Sequence, residues 1–112
     1  MSLKITDTIK DDVAVLSING EVDMFSSPQA RNAIMELVKK RVPKVIVELS
    51  EVTYMDSSGV ATLIEGLQLC QKYNGLLVVA GLRDNVREVF ELTRLDKIFK
   101  IYTDVETAKA DE

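Results

Sequence analysis

The sequence predicts an α/β fold: a small mixed, mostly parallel sheet of about four to five strands, with an opening hairpin and crossover helices. Two observations support this prediction. Two segments rich in Ile, Val and Leu, at residues 3–9 and 13–19, are separated only by Lys10-Asp11-Asp12, as in a hairpin. After them, helical patterns alternate with short apolar runs, which is the order expected when helices connect parallel strands.

Three helical patterns follow the hairpin. The first runs from Phe25 to Arg41, and Ser26 or Ser27 can cap its N-terminus. The second runs from Ser57 to about Tyr73, with apolar residues on one face. A third pattern contains Val86, Val89 and Phe90, and a final helix is expected from Asp104 to Ala110.

The strands between these helices are short. Val45-Ile46-Val47-Glu48-Leu49 is β-branched and predicts a buried strand. The segment from Leu76 to Gly81 is apolar on both faces, which is typical of a strand covered on both sides. A short strand is expected from Phe99 to Tyr102. Because 112 residues fit one core, we expect a single domain over residues 1–112.

Composition argues against several classes of function. The chain has 14 Lys and Arg against 18 Asp and Glu, a net charge of −4, so a direct nucleic-acid partner is not expected. It has no histidine and one cysteine, Cys70, which removes Ser-His-Asp and Cys-His catalysis and conventional zinc sites. We expect Cys70 to pack in the core. Without a signal peptide or a membrane span, the chain is expected in the cytoplasm.

The polar tetrad Asp56-Ser57-Ser58-Gly59 lies between a strand and a helix and has two interpretations. Asp and Ser are preferred N-cap residues, because their oxygens accept hydrogen bonds from free N–H groups, so the tetrad can simply begin the helix. Alternatively, both serines are exposed and Ser57 is a modification site, since a phosphate there would meet those N–H groups and a favourable dipole. A nucleophilic serine is disfavoured because no histidine can accept its proton.

A second strand-to-helix junction, at residues 20–27, would fall at the same edge of a parallel sheet. Asp23 and Asp56 would then lie close together in one acidic surface, and Met24 and Phe25 would add apolar contact area. Two alternatives stay open at this point. Asp23 can be only a helix cap, and Met24 and Phe25 can pack into the core.

Taken together, these segments make the chain resemble the STAS family, and most closely its free-standing anti-sigma factor antagonists. The resemblance runs nearly end to end. Its most specific element is the Asp-Ser-Ser-Gly tetrad in a strand-to-helix context. Arg94 is a departure, because many members have glycine there, and it is expected to alter the end of the third helix. The matching segments are Gly20-Glu21-Val22-Asp23, Val45 to Ser50, Tyr54 to Gly59 and Phe90 to Phe99.

The resemblance implies that Ser57 is phosphorylated by a partner serine/threonine protein kinase that is itself the anti-sigma factor. Unphosphorylated protein binds that kinase and frees the sigma factor, phosphorylation ends binding, and a serine phosphatase resets the switch. The chain then has no catalytic residues, metal or cofactor, and the ATP belongs to the kinase. The predicted partner-binding residues are Asp23, Met24, Asp56, Ser58 and Gly59.

Finer roles and two competing functions stay open. Ser58 can be a cap or a positioning hydroxyl, and Gly59 permits either close approach of the partner or a tight helix start. The chain can instead be a non-switching STAS subunit of a stress-signalling or lipid-transport assembly. A small enzyme or nucleotide-binding module is a third interpretation, but the chain lacks a Gly-rich phosphate loop.

Overall fold

The computed structural model describes residues 3–111, and its element order confirms the predicted α/β architecture. The chain opens with the hairpin of β1 (Lys4–Lys10) and β2 (Val13–Val22). The remaining elements are α1 (Ser27–Lys39), β3 (Lys44–Met55), α2 (Ser57–Gln71), β4 (Leu76–Ala80), α3 (Asp84–Leu92), a short 3-10 helix (Leu95–Lys97), β5 (Ile101–Tyr102) and α4 (Val105–Ala110).

The five strands of the described chain form a sheet in the order β1-β2-β3-β4-β5. β1 is antiparallel to β2, and every other neighbouring pair is parallel. The hairpin turn is tight because Asp11 and Asp12 both adopt positive φ angles, 53° and 67°. Asp tolerates this left-handed conformation better than most residues, which explains why the sequence could predict the turn.

The core lies mainly on one face of the sheet, beneath α1, α2 and α3. Alternate residues of β3, such as Val45 and Val47, are buried in this main cluster together with Phe90 of α3. Ile46 points to the opposite face, where a smaller cluster packs under α4. Cys70 is fully buried in the main cluster, which confirms its predicted packing role.

Two strands extend further than the sequence predicts. β2 continues to Val22 and β3 to Met55, although both segments become polar before they end. Their pairing continues through two register shifts, between Ser17 and Asn19 and between Gly20 and Glu21. Such irregularities break the alternation of apolar and polar residues on which a prediction depends. The extension matters because Val22 comes to lie opposite Met55, immediately before the two loops of interest.

Arg94, the residue expected to alter the end of the third helix because it replaces a glycine, follows α3. Arg94 adopts φ 63° and ψ 19°, the left-handed conformation that glycine takes most easily. The chain therefore turns as a glycine would turn it, at a cost in backbone strain. Among residues 3–111, no helix has both the length and the apolar character needed to cross a membrane.

Candidate functional site

Asp56 caps the N-terminus of α2. Its backbone is extended, and its carboxylate accepts a hydrogen bond from the Ser58 N–H at 2.8 Å and a longer one from the Gly59 N–H at 3.4 Å. This is the geometry of an N-cap, so the capping interpretation is correct for Asp56. Ser57 is the first residue of the helix and is exposed, whereas Ser58 is half-buried. The prediction that both serines are exposed is therefore right only for Ser57.

Gly59 is buried under the ends of β2 and β3. A Cβ atom added to it would lie 2.7 Å from Cγ of Met55 and 2.8 Å from Cγ1 of Val22. Both distances are far below ordinary carbon contacts of about 3.5–4.0 Å. The structure thus accounts for Gly59 by a tight helix start, and its contact with a partner stays a prediction.

The turn between β2 and α1 is organised by Asp23 and Ser26. The Asp23 carboxylate accepts hydrogen bonds from the N–H groups of Phe25 and Ser26, both at 2.9 Å. The Ser26 hydroxyl donates to the Glu21 carbonyl at 2.7 Å and accepts from the Asp23 N–H at 3.0 Å. The hydrogen bonds that the Asp23 carboxylate accepts, led by the one from the Ser26 N–H, hold the pKa of this carboxyl below its usual range.

This turn also explains where α1 begins. The helix starts at Ser27 and not at Phe25, because the preceding residues are held in the Asp23 turn. Ser26 occupies the N-cap position, but its side chain makes no capping hydrogen bond to the helix and is used by the turn. Asp23 therefore has a structural role, and a recognition role for it stays a prediction.

The two junctions lie at the same edge of the sheet. Val22 is paired with Met55 in the parallel register of β2 and β3, so Asp23 and Asp56 are the next residues on neighbouring strands. The Asp56 N–H donates to the Val22 carbonyl at 3.1 Å, which ties the two loops together. The two aspartates therefore occupy neighbouring backbone positions, as the sequence predicts.

Three large side chains at this edge point into solvent. Met24 is 63% exposed and Phe25 is 80% exposed, so the alternative in which they pack inward is wrong. Tyr54 is 47% exposed and lies opposite Glu21 in the strand pairing. The sequence analysis expects Phe25, together with Met24, to add apolar contact area here, but it assigns no contact role to Tyr54. Tyr54 is placed here by the pairing register of β2 and β3, which cannot be deduced from the sequence alone.

We call these residues together the loop surface: Glu21, Asp23, Met24, Phe25, Tyr54, Asp56 and Ser57. The two segments that build it, residues 20–30 and 53–64, contain three carboxylates and no Lys or Arg. Among residues 3–111, no group of three or more Asp, Glu, Cys or His side chains is arranged to hold a metal ion. The loop surface therefore combines negative charge, exposed apolar area and one exposed serine, a composition suited to a protein partner.

Known proteins are similar to this chain in sequence and fold. Residues 4–108 match the STAS domain family. The anti-sigma-B factor antagonist of Listeria monocytogenes is 28% identical over 101 residues, which cover 90% of this chain and 88% of that protein. The crystal structure of an anti-sigma factor antagonist from Mycobacterium paratuberculosis is 29% identical, with a TM-score of 0.87 over 95% of this chain and 90% of that one.

The unphosphorylated form of SpoIIAA, an anti-sigma factor antagonist, has the same architecture. It matches with a TM-score of 0.78 at 21% identity, over 95% of this chain and 92% of its own, and at that identity the likeness bears on the fold alone. The family match covers almost the whole chain, and the five-stranded sheet with its four α-helices agrees with it. This chain is therefore a member of the STAS domain family.

Proposed function

We propose that this chain is an anti-sigma factor antagonist, and that phosphorylation of Ser57 ends its binding to an anti-sigma factor serine/threonine kinase. The observation that carries the proposal is the position of Ser57, exposed as the first residue of α2 and part of the loop surface. The names of the Listeria and Mycobacterium relatives support the class of partner. In this proposal the chain is a non-catalytic, cytoplasmic substrate and ligand, and the kinase supplies the ATP.

Phosphorylation of Ser57 would add negative charge to the loop surface directly beside the Asp56 carboxylate. A phosphoserine carries about −1.5 to −2 charges at neutral pH. The nearest N–H groups of the first turn already donate to the Asp56 carboxylate, so a phosphate on Ser57 would have to compete with a second anion for them. Burying this concentrated charge against a partner is costly, and binding should weaken.

The kinase itself adds a second source of repulsion. Phosphoryl transfer requires the nucleotide phosphates to approach the Ser57 hydroxyl nearly in line. A phosphate already on Ser57 would then face the phosphates of the bound nucleotide. The repulsion is therefore local to Ser57 and does not require the rest of the kinase surface to be acidic.

The fold should survive the modification. The inner face of α2 is buried in the main core through residues such as Leu63 and Leu67, well away from Ser57. A phosphate on the exposed first residue removes none of these contacts. We therefore expect a switch at the interface without refolding, and helical circular dichroism that is the same before and after phosphorylation. A loss of helical signal would contradict this mechanism.

The first experiment is to map the phosphorylation site by intact-mass and peptide mass spectrometry on protein isolated from its native cells. We expect a phosphate on Ser57 that disappears in Ser57→Ala. Ser58→Ala is the matched control, because Ser58 is adjacent but half-buried, and it should leave the phosphate in place. Absence of phosphate across growth and stress conditions would favour the non-switching subunit.

Binding to the purified kinase tests the rest of the switch. Ser57→Ala should bind and stay permanently active, Ser57→Asp should bind more weakly, and added serine phosphatase should restore binding of the phosphorylated protein. Asp23→Asn keeps an oxygen for the turn but removes its charge. Unchanged affinity and phosphorylation rate in Asp23→Asn would leave Asp23 with the structural role alone.

A further inference from the structure

Phe25 is unusual among the aromatic residues of the chain. The chain has three phenylalanines. Phe90 and Phe99 pack edge to face in the core, with ring centroids 5.7 Å apart, and are 0% and 4% exposed. Phe25 is 80% exposed. A large aromatic side chain left in water forgoes the stabilisation that its burial would bring, and burial against a partner would recover it.

The backbone that carries Phe25 is held firmly. Its N–H donates to the Asp23 carboxylate at 2.9 Å, and the next residue, Ser26, is 3% exposed with its hydroxyl bound to the Glu21 carbonyl. Because the turn is already fixed, little backbone entropy remains to be lost when Phe25 enters a pocket. The turn therefore presents the side chain in a preorganised position.

We infer that Phe25, flanked at the same sheet edge by Met24 and Tyr54, is the apolar anchor by which the kinase is bound, and that it enters an apolar pocket with a basic rim. This inference rests on the proposed function and names the chemistry of its partner. Tyr54 lies opposite Glu21, and the Glu21 carbonyl is bound by Ser26, so the aromatic ring and the turn share one edge. Buried aromatic anchors dominate the energy of many protein interfaces.

Charge selects a basic partner over a second copy of the chain. The segments around Phe25 contain three carboxylates and no Lys or Arg, and Glu21 and Met24 are both exposed beside the turn. Two copies placed face to face would bring these carboxylates together, which is unfavourable. Basic residues of the kinase near Glu21 and Asp23 would attract these carboxylates. A phosphate on Ser57 would instead face the phosphates of the nucleotide bound to the kinase, so attraction and repulsion would act at different positions of one interface.

The test is a calorimetric titration of Phe25→Ala with the purified kinase for which Ser57 is the substrate. Leu92→Ala is the matched control, because Leu92 is also apolar and is 77% exposed. The first turn of α3 contacts Thr53 through the Asn85 side chain, and Leu92 lies at the other end of that helix, about 12 Å away along its axis. We expect Phe25→Ala to weaken binding about 30-fold or more and Leu92→Ala to change it less than about twofold. In phosphorylation assays KM should rise in Phe25→Ala while kcat stays constant, because Phe25 precedes α1 whereas the reacting serine is the first residue of α2.

The outcomes separate the inference from the proposed function. If wild-type protein binds and is phosphorylated but Phe25→Ala behaves identically, the anchor is refuted and the proposed function stands. If no kinase binds the wild type, both are refuted. A wild-type homodimer that Phe25→Ala dissociates, with kinase affinity unchanged, would reassign the anchor to a second copy. The basic rim requires that salt weaken wild-type binding more than Glu21→Gln binding, and equal salt dependence would overturn it.

Discussion

Gly59→Ala tests the packing that places the start of α2 beside the end of β2. The new Cβ atom would lie 2.7 Å from Cγ of Met55 and 2.8 Å from Cγ1 of Val22, whose side chains are 3% and 2% exposed. Neither neighbour can move outward freely, because both are packed in the main core. Either α2 shifts away from β2 or the two side chains leave their preferred rotamers.

Two opposing effects set the size of the change. Alanine is more favourable than glycine inside a helix by about 0.5–1 kcal/mol, which would stabilise the variant if there were room. Overpacking of a well-filled core costs about 1–3 kcal/mol. We therefore expect Gly59→Ala to lower the free energy of unfolding by up to about 2.5 kcal/mol, the largest difference between these two effects.

Urea unfolding followed by far-ultraviolet circular dichroism measures this change. Ser57→Ala is the control in the same helical turn; its exposed position should keep the effect within about 0.5 kcal/mol. Val22→Ala removes one of the clashing atoms. The double variant should therefore have a free energy of unfolding about 0.5–3 kcal/mol higher than the sum of the two single changes would predict. A Gly59→Ala protein at least as stable as the wild type would show that helix propensity outweighs the clash and would refute the packing argument.

Three further predictions concern the loops and the strained turn. Asp56→Ala should lower stability by about 1 kcal/mol through loss of the N-cap, with Asp56→Asn close to wild type; equal stability of both variants in thermal unfolding would contradict this. Arg94→Gly should raise stability by up to about 1 kcal/mol, because glycine adopts the left-handed conformation without strain, and a lower urea midpoint would rule this out. Hydrogen bonds, led by that from the Ser26 N–H, lower the pKa of Asp23 below its ordinary 3.8; the carboxylate therefore contributes stability that is present above the unfolded pKa and lost as pH falls through the folded value. A carbon-13 NMR titration of Asp23 should show a midpoint below 3.8, and a midpoint above it would be incompatible with the turn.

Local patterns were sufficient for the architecture. The hairpin follows from two apolar runs around Asp11 and Asp12, and the aspartates do adopt the left-handed conformations that such a turn needs. The start of α2 follows from Asp56, whose side chain caps the helix as its residue type predicts. In each case the interaction joins residues only a few positions apart, so the sequence nearby contains the relevant information.

The ends of β2 and β3 were not predictable in the same way. Both strands continue through polar residues because each pairs with the other across register shifts, and this pairing joins residues more than 30 positions apart. The same holds for Gly59, which is buried under Val22, and for Tyr54, which is opposite Glu21. No local pattern distinguishes such positions from an ordinary loop.

Chain composition and short motifs thus defined the α/β class, the helix that begins at Ser57 and the lack of histidine-based catalysis, since these depend on residue type and near neighbours. The tertiary structure decided that Phe25 and Met24 point into solvent, that Asp23 holds a turn, and that Tyr54 lies opposite Glu21. An apolar residue has the same hydrophobicity wherever it lies; whether it is buried depends on which distant strands and helices cover it, and only the folded chain contains those contacts.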